Sequence, residues 1–235
     1  MFKQMILAAA VVGLVLALAP AAQAATIGLN DPLVPTGLGL NDTFHLVFVT
    51  STTTSVQAIG TPISWYNTFV NSVANSGDSD VARLGLTWYV VGSTANVNAR
   101  DNAAVVSTAV YRVDGARIVT GTAPFYGGHE NPINVTEKSD VFDKRVWTGS
   151  TPSGTPRENG YDKSDNYCIT GGSWMATSPH WIEGPGENWF DYIRPKTELN
   201  ALYALSEKIT IVPEPATLAL LGLGGLGMLL SRKRK

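Results

Sequence analysis

The two ends of this chain are apolar, and between them they confine any globular fold to about residues 25–212. Lys3 gives a positive start, Met5–Ala19 runs apolar apart from Gly13, Pro20 breaks the run, and Ala22-Gln23-Ala24 supplies a small-x-small cleavage site. That order is the pattern of a secretory signal peptide over residues 1–24. An uncleaved anchor helix is the other reading, but the short apolar core and the well-placed Ala-x-Ala site favour cleavage. At the far end, Ala216–Leu230 is apolar apart from Thr217 and is interrupted by Gly222, Gly224, Gly225 and Gly227. As a helix, that stretch rises about 22 Å. The hydrocarbon core measures ~30 Å, a gap that flanking residues or local thinning would close. Arg232, Lys233, Arg234 and Lys235 then place four cations together. Such a cluster prefers the cytoplasmic side and stops transfer, which puts the body outside and Lys235 inside.

Pro213-Glu214-Pro215 stands directly before the apolar stretch. Two prolines fix φ and bias their predecessors away from helix, so the segment is rigid, extended and suited to an enzyme that grips extended backbone. The tripeptide, the Gly-rich apolar stretch over about 216–230 and the terminal basic cluster, in that order, resemble the PEP-CTERM sorting signal of Gram-negative bacteria. The resemblance spans residues 213–235. It implies an inner-membrane-anchored intermediate, processing by an exosortase near Pro213–Pro215, and delivery to the cell surface or an exopolysaccharide matrix. An ordinary single-span anchor is the plainer alternative, and the glycines could instead form a helix-pairing face.

The exported part, residues 25–212, holds 12 Lys and Arg against 18 Asp and Glu, a net of −6. A body this acidic repels phosphate backbones, which argues against a nucleic-acid partner. It is long enough for one sizeable core. Its single cysteine, Cys168, leaves no internal disulfide, so packing must hold the fold in an oxidising exterior. Cys168 reads as a small buried residue, with an intermolecular bridge or a nucleophile as sharper alternatives.

His45–Thr50 and Leu86–Val91 are strand candidates, and Leu202–Leu205 with Ile209–Val212 read as closing strands. Thr61 as cap and Pro62 at the first position start a helix over about 62–75, whose Ile63, Tyr66, Phe69, Val70 and Val73 recur at helical spacing and face a core. Asp114-Gly115, between Val110–Val113 and Ala116–Val119, predicts a hairpin with a two-residue turn. Thr26–Asp42 reads as a loop-like entry, and Thr148–Asn200 as a long loop region pinned by tryptophans. The expected fold class is α+β. Helix 62–75, the Val110–Val119 hairpin, Asn131-Pro132-Ile133-Asn134, Val146-Trp147-Thr148-Gly149-Ser150, the Cys168 to Trp174 segment and Leu202-Tyr203-Ala204-Leu205 together resemble a bacterial C-type-lectin-like family related to the endostatin-type fold. The match spans about 45–210. It implies a twisted antiparallel sheet with about two helices and a long loop. Relatives close that loop with paired cysteines, whereas Cys168 has no second cysteine to meet.

Few patterns carry chemistry. His129-Glu130 opens like a zinc-protease motif, but Ile133 stands where the second histidine belongs and Pro132 would break the helix. His45, in an apolar strand, reads as a core histidine. No Gly-x-Ser-x-Gly elbow is present. Thiol chemistry would have to pair Cys168 with His180. Asp162, Asp165 and Asn166 cluster hard oxygen donors that could bind Ca²⁺, with solvated turn residues as the plainer reading, and Asp78 with Asp80 form a thinner acidic pair. Trp174, Trp181 and Trp189 could present a sugar-stacking face, or they pin the long loop onto the core. The reading that emerges is an exported, exosortase-sorted surface or matrix protein whose body is a non-enzymatic binding or structural module, with polysaccharide or another surface component as partner. The alternative is a secreted hydrolase of matrix polysaccharide, which would need two carboxylates flanking a groove.

Overall fold

The apolar runs Thr43–Val49 and Ala201–Ser206 are buried at nearly every position, so they need covering layers on both faces. In the computed structural model, which describes residues 25–55, 60–105, 107–121, 125–143, 145–158, 168–169, 174–177, 192–195 and 199–214, they lie side by side at the centre of one sheet. The strands are β1 (Ala25–Gly28), β2 (Thr43–Val49), β3 (Trp88–Val90), β4 (Ala109–Arg112), β5 (Arg117–Val119), β6 (Val146–Trp147), β7 (Trp174–Thr177), β8 (Tyr192–Pro195), β9 (Ala201–Ser206) and β10 (Ile209–Val212). The helices are α1 (Ile63–Ala74) and the single turn α2 (Ala99–Asn102).

Strands β9 and β10 act as one long spine. Along one edge β9 pairs antiparallel with the second half of β2 and β10 with its beginning. The other edge meets β6, β3 and β1 in turn. Strand alternation splits the core in two. Phe44, Leu46 and Phe48 face Tyr66, Val70 and Val73 of α1. Val47 and Val49 face Val110, Ile118, Phe125 and Ile133 on the opposite side. Phe48 and Trp88 meet edge to face at 4.7 Å. Each fully buried side chain of this size contributes about 1.5–3 kcal/mol, so this double-faced strand pair dominates the stability.

Polar side chains finish what the sheet leaves open. The free edge of β3 carries asparagines in place of another strand: Asn71 accepts from the Trp88 N–H at 3.0 Å and donates to its carbonyl. Asn67 accepts from Val90 N–H at 2.9 Å, and Asn102 donates to the Val90 carbonyl at 2.8 Å. An edge satisfied this way offers nothing for another chain to pair with.

The α+β class holds, with two helices and a sheet of many strands. The antiparallel expectation does not: β1 runs parallel to β10, β2 to β4 and β6 to β9. Long crossovers permit parallel neighbours that short hairpins cannot make, and Val49 and Ala109 are joined by such a connection. Helix α1 starts one residue later than expected, with Pro62 as an extended cap and no side-chain capping bond. The hairpin turn is not the two-residue kind. Gly115 N–H donates to Arg112 O at 2.9 Å and Arg112 N–H to Ala116 O at 2.8 Å, with positive φ at Gly115 (86°) and not at Asp114. That is a three-residue loop with a bulge at glycine. The entry read as loop contains β1, and Thr148–Asn200 contains β7 and β8 paired antiparallel.

Candidate functional site

The sorting tripeptide grows directly out of the sheet. Ala25 to Gly28 of β1 align in parallel register with Ile209 to Val212 of β10. Beyond the strand, Leu29 N–H donates to Val212 O at 3.2 Å, while Ile211 exchanges bonds with Asn41 N–H (2.9 Å) and Asp42 O (3.0 Å). Pro213 brings no N–H, so the ladder stops there. Pro213 and Glu214 are both only half exposed. The Glu214 carboxylate lies against Gly28: a Cβ built on that glycine would sit 2.8 Å from Oε1 and 3.0 Å from the carboxyl carbon. Two of the three motif residues are therefore in place against the body. Gly28 was not singled out in the sequence, because nothing local reveals a contact with a residue 186 positions away.

The other candidates divide by position. Pro215, the 216–230 stretch, Arg232, Lys233, Arg234 and Lys235 lie outside the described residues, as do the signal segment 1–24, Asp162, Asp165, Asn166, His180, Trp181 and Trp189. Trp174 opens β7, and its backbone pairs with Pro195 of β8. Among the described residues no helix is long and apolar enough to cross a membrane, and no three His, Cys, Asp or Glu side chains gather as metal ligands. Asp78 and Asp80 bind the turn opposite them: Asp78 pairs with Lys138, whose ammonium holds its carboxyl below the usual range, and Asp80 accepts from Ser139 Oγ at 2.7 Å.

Several buried polar groups are committed to the fold. Glu137 is fully buried and accepts from the Ser51 N–H at 2.9 Å and from its hydroxyl. His129 bonds through Nε2 to the Phe125 carbonyl at 2.9 Å and stacks on the Phe125 ring; burial pushes its pKa down to about 4, against that carbonyl. Cys168 is buried where the 168–169 segment crosses the Trp147-Thr148-Gly149-Ser150 strand end. Ile169 N–H donates to Ser93 O at 2.9 Å, and the Tyr66 hydroxyl donates to Ile169 O. Gly149 has φ 58°, and a Cβ there would lie 2.3 Å from Ile169 N, so only glycine fits the crossing.

Among the concave regions of the described residues, two bear on the candidate residues. One, about 410 Å³, is an open groove on the outer face of α1, lined by Trp65 and Phe69 with Ser64, Thr68 and Ser72. The two rings stack nearly parallel, 6.0 Å apart, and Trp65 is 37% exposed. Of the stripe expected to face the core, Tyr66, Val70 and Val73 are buried, while Ile63 and Phe69 are only partly buried against it. Trp65 falls on the outer face because it sits one position before the buried stripe. The second region, about 490 Å³, is lined by His45, Tyr89, Asp101, Asn102, Glu207 and Lys208, among others. His45 is a buried core histidine as expected, with Nδ1 2.8 Å from the Ser206 carbonyl. A carbonyl only accepts, so Nδ1 carries the proton; burial first of all keeps the ring neutral.

Residues 212–235 match the family defined as the PEP-CTERM protein-sorting motif. The match begins at the last residue of β10 and takes in Pro213-Glu214-Pro215 and the terminal cations. No curated protein matches the chain. The motif supports an exported protein that is anchored in a membrane and sorted by an exosortase.

Proposed function

We propose that the chain is an exported surface protein, sorted through residues 213–235, whose body is a non-enzymatic, C-type-lectin-like module that binds polysaccharide or another surface component. The single observation behind the sorting half is the 212–235 match emerging directly from β10. The body reading draws support from three features. The buried Glu137 and His129 are spent on backbone and hydroxyl bonds that hold loops. The ends of the 148–200 region meet where Val146 and Trp147 pair with Ala201 and Leu202, the long-loop arrangement that a lectin-like body implies. The exposed Trp65, stacked on the half-buried Phe69, offers a flat apolar face beside hydroxyls, the composition that suits a sugar ring. The exopolysaccharide of a Gram-negative matrix fits both halves.

Mass spectrometry of material recovered from the cell surface tests the sorting half. The expected N-terminus is Ala25 and the expected C-terminus falls at Pro213–Pro215; surface material that retains Lys235 overturns it. A polysaccharide array probed with the processed protein tests the body, with Ca²⁺ and with chelator because Asp162, Asp165 and Asn166 lie within five residues. Binding that Trp65→Ala weakens supports this reading, and depolymerisation of the array sugars favours the hydrolase instead.

A further inference from the structure

Glu214 of the sorting tripeptide does not hang free of the body. Val212 is held by β1 on one side, its carbonyl accepts from Leu29 N–H, and Glu214 rests on the one position of β1 that has no side chain. An enzyme that grips extended backbone needs several consecutive residues clear of their own fold, because it must supply the strand partner and the side-chain pockets itself. Here that strand partner is already present, and it is β1.

From this we infer that the folded body holds its own sorting motif, with Gly28 shaping the seat of Glu214, so that processing proceeds through a local opening in which Pro213 and Glu214 lift off β1. The inference rests on the exosortase reading and adds to it a positioning residue at the opposite end of the chain. The opening is confined to the end of the spine. β2 holds β10 only at Ile209 and Thr210, while Ile211 and Val212 depend on β1 and on Asn41 and Asp42. β1, a four-residue edge strand that pairs only with β10 among the described residues, is the kind of element that opens locally without global unfolding.

Gly28 offers a selective way to empty the seat. Its added Cβ would meet the far end of a flexible side chain, so the glutamate is the group that yields. Valine also suits a strand. Gly77, with nothing within 4 Å of an added Cβ, serves as the control. In cells that express the exosortase, pulse-chase labelling of the full chain follows conversion of the anchored form to the tail-less form. Gly28→Val should shorten the conversion half-time at least ~3-fold, Gly28→Ala by less, and Gly77→Ala not at all. An unchanged or lengthened half-time in Gly28→Ala and Gly28→Val overturns the inference. Should Gly28→Val fail to accumulate, Gly28→Ala decides alone. A wild-type chain that never loses its tail overturns the sorting reading itself, a result distinct from equal rates in wild type and variant.

Discussion

At the residue scale, His129 is the group whose protonation the fold resists most clearly. In the unfolded chain it titrates near 6.5; folded, burial lowers it to about 4. Between those values the unfolded state binds the extra proton, so its contribution is fully present above pH 6.5 and is lost as pH falls toward 4. The size is about 2 kcal/mol by pH 5 and about 3 kcal/mol at completion. His45, also lowered by burial, acts in the same direction. Urea unfolding at pH 7.5, 6 and 5 should show this loss in wild type, and His129→Phe should keep the ring stack while flattening that part of the slope. Equal slopes in the two proteins would mean His129 is hydrated. His45 was legible as a core residue because apolar strand neighbours flank it. His129 was not, because it follows Gly127 and Gly128 and its cover comes from a loop folded back by Phe125.

At the element scale, the asparagines that finish β3 matter more than their surface location suggests. Asn71 is only half exposed and serves both backbone groups of Trp88, itself 1% exposed. Asn71→Ala strands an N–H and a carbonyl at once, for a loss of about 2–4 kcal/mol. Denaturant unfolding measures the loss, and faster hydrogen exchange at the Trp88 amide locates it. A change below about 0.5 kcal/mol would mean that water replaces the side chain. Legibility divides along the same line. Helix α1 and strands β2, β9 and β10 announce themselves by apolar period and length. Strands β1 and β6 are short and pair with β10 and β9 far away in the chain, and β7 and β8 are four residues each within a stretch dominated by Gly, Pro, Asp and Asn, so no local pattern marks them. The Asp114-Gly115 hairpin was visible, but its loop length depended on which residues take positive φ, and only Gly115 does. Of the candidate site, the tripeptide was plain in sequence and its seat on Gly28 was invisible.

At the scale of the molecule, the spine is the last part of the body to leave the ribosome, yet every central strand waits for it. β2, β3, β6 and β1 all pair with residues 201–212. Such long-range pairings cannot reward the chain until both partners are present. In an exported chain the sheet closes only as the 212–235 sorting segment arrives, so folding and membrane anchoring coincide in time. The consequence is testable by length. A chain of residues 25–214 keeps every described strand and should melt in one cooperative transition. A chain of residues 25–208 loses β10, and with it the only partner of β1 among the described residues and the fully buried Ile209 and Ile211. Two buried isoleucines alone account for about 3–6 kcal/mol, comparable with the ~5–15 kcal/mol by which a domain is stable. The shorter chain should therefore show no cooperative melt by circular dichroism, or a midpoint more than about 15 °C lower. If it melts within about 5 °C of the longer one, β10 is an appendage of the tail, and the sorting motif is joined to the body by sequence without being held by its fold.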